Sequence, residues 1–317
     1  MTIVVTGSAG HLGEALMRTL RAAGRPALGL DLRPSPFTDR VGSIADRAFA
    51  RECLSGARGV IHCATLHKPH VATRGDEDFL LTNAAGTLTL LEAAVDGRIE
   101  AFVYTSTTSV FGSALTPAAD APAAWIDESV APIPKNIYGA TKQAAEILCE
   151  LYARRRRLAA VVLRASRFFP EADDDPRISA AYDLANAQVN ELLYRRVDLA
   201  DVVSAHLLAL AQAPTLGFAR FIVSATTPFS PQDAPALRAD AAAATRRLFP
   251  AYEAVYAARG WRMFPSIDRV YDNRAAVAGL GWRPQYDFRR ALDSLAAGQD
   301  FRSPLAQAVG AKGYHGG

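Results

Sequence analysis

Tyr138 and Lys142, four residues apart in Tyr138-Gly139-Ala140-Thr141-Lys142, are the pair whose types and spacing point most directly to chemistry. On a helix they stand one turn apart and face the same way. An ammonium beside a phenol favours the phenolate and lowers its pKa, which would let Tyr138 exchange a proton with a hydroxyl near neutral pH. That spacing alone is common by chance, so the surrounding elements must decide. A second cluster, Thr6-Gly7-Ser8-Ala9-Gly10-His11-Leu12-Gly13, suggests phosphate binding. Gly7 permits a tight turn, Gly10 lets the backbone approach a pyrophosphate, and Gly13 lets a helix pack closely on a strand. The helix N-terminus then turns unpaired N–H groups toward the phosphates. Asp31 ends the next apolar run, where a carboxylate accepts hydrogen bonds from adenosine ribose hydroxyls and repels a 2′-phosphate. That favours NAD over NADP, although Arg33 is placed to attract a 2′-phosphate.

Strand-like apolar runs alternate with helix-length segments in the order these groups require. They are Ile3–Val5, His11–Ala23, Ala27–Leu30, Ala45–Leu54, Val60–Cys63, Phe79–Val95, Ala101–Thr105, Tyr138–Tyr152 and Ala159–Leu163. Continuous rather than alternating apolar strands imply a parallel sheet covered on both faces by helices. The predicted fold is α/β, a doubly wound parallel-sheet Rossmann domain with a smaller, discontinuous C-terminal substrate lobe. Past Arg164 the pattern turns irregular, with an acidic loop Asp173-Asp174-Asp175-Pro176, a helix over Asp201–Gln212, a strand over Phe221–Val223 and an Ala-rich stretch from Gln232 to Leu248. The expected division is 1–164 plus 196–224 for the NAD-binding domain, 165–195 plus 225–300 for the substrate lobe, and a tail over 301–317. No internal repeat is found.

With that framework in place, the strand end Val103-Tyr104-Thr105-Ser106-Thr107-Thr108-Ser109-Val110-Phe111-Gly112, the Tyr138–Lys142 helix start and the glycine loop together resemble the extended short-chain dehydrogenase/reductase superfamily, in its NAD-dependent epimerase/dehydratase branch. The resemblance covers residues 1–225 and, more faintly, Val270-Tyr271-Asp272-Asn273 and Leu280-Gly281-Trp282-Arg283-Pro284. It implies a catalytic trio of Thr107, Tyr138 and Lys142, with Lys142 also holding the nicotinamide ribose and Thr108 as a second group for the substrate oxygen. It further implies cofactor contacts from Cys63, Ala64 and Thr65 at a strand end, from Thr105, and from Asn83 in the following helix. Ser43 and Ile44 stand where many relatives carry an adenine-contacting Asp, leaving the Ile44 backbone to serve.

The same resemblance shows departures that bear on the substrate. Between Glu171 and Tyr194 the chain is short where relatives that handle UDP-sugars carry a long segment, and Arg167 lacks the asparagine expected beside it. The Phe169-Pro170-Glu171 element is more like uronate dehydrogenases. A small sugar or sugar acid is therefore expected as substrate, facing His67, Thr107, Thr108, Arg167 and Phe168, with Arg177, Arg195 and Arg196 as further guanidinium candidates for a carboxylate or phosphate. An epimerase or dehydratase with tightly held NAD is the alternative. His67 and His70 lack a third ligand nearby, so no metal is expected, and His11 is expected to make only local contacts.

Composition sets the outer bounds. In 317 residues, half are apolar and 21% charged, the profile of an ordinary globular chain long enough for two lobes. The net charge of +3 is spread out, and its one basic run, Arg154 to Arg157, reads as a helix end rather than a nucleic-acid contact. The longest apolar stretch, Val202 to Ala211, is too short to span a bilayer and is interrupted by His206. Three cysteines with no metal spacing suit a reducing, cytoplasmic setting. The resemblance implies a homodimer joined through the helices that correspond to Phe79–Val95 and Tyr138–Tyr152, and both carry apolar residues on more than one face, as such burial requires.

Overall fold

The computed structural model describes residues 2–171 and 175–313; Asp173 and Asp174 of the acidic loop, and residues 314–317, lie outside the described residues. The apolar runs form the strands β1 (Thr2–Thr6), β2 (Ala27–Asp31), β3 (Arg40–Val41), β4 (Ala57–His62), β5 (Ala101–Thr107), β6 (Ala124–Ile126), β7 (Ala160–Ala165), β8 (Phe218–Val223) and β9 (Arg269–Tyr271). Seven make one sheet in the order β3-β2-β1-β4-β5-β7-β8, and β6 pairs with β9 apart from it. Every pairing is parallel. β7 is buried at all six positions, as a strand covered on both faces must be. The chain leaves β1 toward β2 on one side and returns to β4 on the other, which opens a crevice at the carboxyl ends of these strands.

The first helices are α1 (His11–Ala22), α2 (Arg47–Leu54), α3 (Asp76–Phe79), α4 (Gly86–Asp96) and α5 (Ile137–Arg156). Those that follow are α6 (Pro176–Ala181), α7 (Leu184–Glu191), α8 (Leu199–Leu216), α9 (Ala234–Ala239), α10 (Ala241–Leu248), α11 (Tyr252–Ala257), α12 (Arg274–Leu280), α13 (Phe288–Ala296) and α14 (Pro304–Val309). Leu16 and Leu20 of α1 and Val202 and Leu210 of α8 cover one face of the sheet. Leu54 of α2, Leu90 of α4 and Cys149 of α5 cover the other. A separate core joins Leu193, Leu237, Phe249, Tyr256 and Phe288.

Three local features differ from the sequence reading. The segment expected as one helix over Phe79–Val95 contains a π-helical stretch, Leu80–Ala85, between α3 and α4. Ala276, Leu280, Trp282 and Val309, from residues assigned to the substrate lobe and the tail, pack with α1 and α8 in the core beneath the sheet. Finally, α8 extends beyond the expected helix and, by length and composition, is long and apolar enough to cross a membrane. Its apolar residues Val202, Val203, Ala209 and Leu210 are instead buried against the sheet, and Asp198 caps its start by accepting from Ala200 N at 2.7 Å.

Candidate active site

The carboxyl ends of the central strands open into a cavity of about 760 Å³. Gly7, Gly10, His11, Leu12 and Gly13 line it from the β1–α1 turn, and Asp31, Ser43 and Ile44 from beyond β2. Cys63, Ala64, Thr65 and His67 line it after β4, Thr105, Thr107 and Thr108 at the end of β5, Tyr138 and Lys142 on α5, and Arg167 and Phe168 after β7. The glycine turn is sterically obligatory. Gly7 has φ +73°, and a Cβ on Gly13 would lie 2.0 Å from the Gly7 carbonyl oxygen. Asp31 is anchored to the same turn: one carboxylate oxygen accepts from Ala9 N at 3.0 Å and the other from Arg33 N at 2.9 Å.

Asn83 departs from expectation, since it does not line the cavity. It is buried in the π-helical stretch, where its carbonyl accepts from Leu66 N at 2.8 Å and from the Thr65 hydroxyl at 2.9 Å. Its amide donates to Leu66 O at 2.9 Å and to Thr141 Oγ1 at 3.1 Å. It therefore ties the loop after β4 to the turn of α5 that carries Lys142. Local π geometry displaces a side chain from the α-helical register, which is why such turns recur at functional sites.

Asn136 caps α5 by accepting from Gly139 N at 3.0 Å, which sets the helix start from which Tyr138 and Lys142 both face the cavity. Lys142 Nζ donates to the Thr105 carbonyl at 2.6 Å and sits 4.3 Å from the centroid of the Tyr104 ring. Burial lowers its pKa to about 8. The expectation that the ammonium would lower the phenol pKa is not met in this state: burial dominates and pushes Tyr138 up to about 12, opposed by a hydrogen bond with Thr107. One turn beyond Lys142, buried Glu146 accepts from Ser106 Oγ at 2.5 Å and makes a two-pronged contact with Arg164, with Nη2 at 2.8 Å. Sequence reasoning missed this clamp of α5 onto β5 and β7, although its position four residues after Lys142 places it on the same helix face.

The wall that follows β7 is assembled from distant segments, with Arg167 and Arg195 lining the cavity and Arg196 behind them. Arg167 lies beside Arg196 through an isolated parallel bridge, its N–H donating to Arg195 O at 3.2 Å. Arg195 and Arg196 both bind the buried carboxylate of Glu191, at 2.7 Å each, and Arg167 comes within 3.8 Å of it. Arg177 is engaged with Asp175 at 2.8 Å on the surface. Tyr271, in the faintly resembling Val270–Asn273 stretch, also lines the cavity, as do Lys135 and Arg269, which nothing in their local sequence announced. His67 stacks on Phe169, with centroids 5.4 Å apart and planes 13° from parallel. His11 makes more than local contacts: its Nε2 is 3.0 Å from Glu171. Burial works to raise the Glu171 pKa, but hydrogen bonds from His11 and Lys312 N hold it down at about 2. His67 and His70 pack edge to face, and among the described residues no group of three or more His, Cys, Asp or Glu is arranged to hold a metal ion.

A doubly wound parallel sheet, a glycine turn at its crevice and a Tyr–Lys helix face beside it define a Rossmann-type fold of the short-chain dehydrogenase/reductase class. The chain belongs to the NAD dependent epimerase/dehydratase family, whose sequence model matches residues 3–217. It is 30% identical over 171 residues to a UDP-glucose 4-epimerase of Rhizobium meliloti, covering 51% of this chain and 50% of the relative. It is 34% identical over 186 residues to the 4-hydroxy-2-methyl-3-oxo-4-farnesyl-3,4-dihydroquinoline-1-oxide ketoreductase of Stigmatella aurantiaca, covering 55% and 52%. The chain thus spans about half the length of the curated relatives it matches. Among solved structures, a short-chain dehydrogenase/reductase superfamily protein from Agrobacterium tumefaciens, crystallised with bound NAD, superposes with a TM-score of 0.67 at 24% identity, covering 94% of this chain and 96% of that one.

Proposed function

We propose that this protein is an NAD-dependent oxidoreductase that moves a hydride between the cofactor and a secondary alcohol or ketone of a sugar, sugar acid or similar small polyol. The observation that carries this reading is the convergence of Thr107, Tyr138 and Lys142 on the cavity that the glycine turn and Asp31 also border. The residues present fit a dinucleotide: a turn with glycine at positions 7, 10 and 13 opens at the start of α1, and an anchored carboxylate stands where ribose hydroxyls would donate. When bound, the cofactor supplies the hydride-accepting ring and a positive charge in its oxidised form. Tyr138 exchanges the proton of the substrate hydroxyl, Thr107 orients that oxygen, and Lys142 holds the nicotinamide ribose. His67, Thr108, Arg167 and Phe168 face the substrate, and NAD is preferred to NADP through Asp31.

The short run from Glu171 to Tyr194, which among the described residues carries α6 and α7, favours a single sugar unit over a nucleotide sugar. The similarity to a UDP-glucose 4-epimerase favours a second reading, an epimerase that oxidises and re-reduces its substrate on retained NAD. A screen of free sugars, uronates and UDP-sugars, followed by NADH absorbance and product analysis, separates them. Net NADH formation with a sugar or sugar acid, and no competition by UDP, is expected. Tight UDP binding with inversion of a sugar centre and no net NADH would promote the epimerase.

The protein is further proposed to act as a cytoplasmic homodimer. Leu80, Leu81 and Ile147 are about half exposed on the face of the π-helical stretch and α5, apolar area of the kind that association covers. Three free thiols among the described residues suit a reducing compartment. Light scattering is expected to give a dimer that Ile147→Asp dissociates; a monomer at micromolar concentration would contradict the assembly.

A further inference from the structure

Two histidines have no part in the reading above. His62 at the end of β4 and His206 in α8 are both 0% exposed, and each touches a threonine hydroxyl at the end of a strand beside the cavity. Their partners fix where each ring carries its proton.

His206 Nδ1 lies 2.8 Å from the Val202 carbonyl, which can only accept, so Nδ1 carries hydrogen. Burial lowers the ring's pKa to about 4, so it is neutral near pH 7 and Nε2 is bare. Thr105 Oγ1, 2.9 Å from Nε2, must therefore donate. Cys63 Sγ is 3.2 Å from the same hydroxyl, and since burial pushes the thiol pKa to about 12, its S–H is present to donate in turn. Thr105 lines the cavity, and its hydroxyl oxygen is left with one lone pair and no proton to offer.

His62 holds the opposite form. Thr6 Oγ1 accepts from Cys63 N and Ala64 N at 3.1 Å each, so its own proton goes to His62 Nδ1 at 2.7 Å. Nε2 then carries the hydrogen and donates to Thr87 Oγ1 at 3.0 Å, whose proton passes to Asn83 O at 2.6 Å.

We propose that His206 and His62 are positioning residues that lock two threonine hydroxyls through opposite tautomers, leaving Thr105 as an acceptor only toward a donor group of the cofactor, a ribose hydroxyl or a carboxamide N–H. Thr6 and His62 hold the loop after β4 in the matching position. This inference rests on the reading that the cavity holds NAD.

Long-range proton–nitrogen spectra of the ¹⁵N-labelled protein test the lock directly, with His→Gln variants assigning the two rings among the six histidines. His206 is expected as the Nδ1–H form and His62 as the Nε2–H form, both unchanged from pH 8 to about pH 5.5. Either ring in the other tautomer, or protonated in that range, overturns the proposal. Calorimetric NAD titrations test the consequence. Thr105→Val and His206→Leu are each expected to weaken NAD by about fivefold to tenfold, the worth of one neutral hydrogen bond. Because His206 acts through Thr105, the double variant is expected to lose no more than either alone. Additive losses with intact NAD binding by the unmodified protein would overturn the inference alone. Failure of the unmodified protein to bind NAD would overturn the cofactor reading and the positioning role with it. Should His206→Leu not fold, the spectra of the unmodified protein still decide.

Discussion

Two walls of the cavity are held by different means. At the ends of β1 and β2, Asp31 and Thr6 bond mainly to backbone N–H groups of neighbouring turns and strand ends, whose spacing the parallel sheet dictates. Behind the wall that follows β7, the long side chains of Arg167, Arg195 and Arg196 gather round one carboxylate, Glu191, on α7. A backbone-bonded site has little freedom to change what it binds. A site of long side chains on connecting segments changes with a few substitutions, so one scaffold can serve many substrates.

Breaking the comparison at its boundary gives the largest effect. Tyr138→Phe keeps the packing and removes the proton-exchanging group, so turnover is expected to fall about 100-fold or more with NAD affinity nearly unchanged. Steady-state rates and calorimetry check this, and retained turnover would assign the proton transfer elsewhere.

Acid should destabilise the fold through the two buried rings, His62 and His206. The folded pKa values of His62 and His206, about 3 and about 4, lie below the unfolded value of about 6.5. Below that unfolded value the unfolded chain binds up to two more protons than the folded one. Stability contributed by these neutral rings is therefore complete above about pH 6.5 and is lost as pH falls, by up to about 2.7 kcal/mol per pH unit. Asp201, whose burial raises its pKa to about 6, acts in the opposite sense because the folded form takes up its proton first. A net loss of roughly 2–3 kcal/mol is expected between pH 6.5 and 5, measurable as a fall in the urea midpoint. A flat profile would show that these rings are not held neutral.

The smallest effect sharpens the cofactor end alone. Asp31→Ala removes the ribose acceptor and the charge that repels a 2′-phosphate, and is expected to narrow the preference for NAD over NADP by about tenfold, or about 1.4 kcal/mol. Paired titrations with the two dinucleotides measure it. An unmodified protein that prefers NADP would assign the choice to Arg33, which also lines the cavity.

These differences explain what could be read from the chain. The strand–glycine–helix start, Asp31 and the Tyr138–Lys142 face were legible because each depends on residues within a few positions of one another, where turn sterics and helical period operate. The clamp by Glu146 and the lock by His206 were not, because their partners sit on other elements: Arg164 on β7 and Thr105 on β5. The π-helical turn was hidden for another reason, since its apolar pattern remains close to that of an ordinary helix. Tyr138 shows the limit on the electrostatic side: spacing gave its neighbour but not its burial, and burial decided the pKa.

The core beneath the sheet also bears on the order in which the protein can be made. α1 leaves the ribosome well before the side chains that complete its cover, Ala276, Leu280, Trp282 and Val309. At about 5–20 residues per second, the intervening stretch takes on the order of 15–60 seconds to synthesise. Throughout that interval the nascent chain keeps an apolar flank of α1 uncovered, so chaperone engagement should concentrate there and end only as residue 309 emerges.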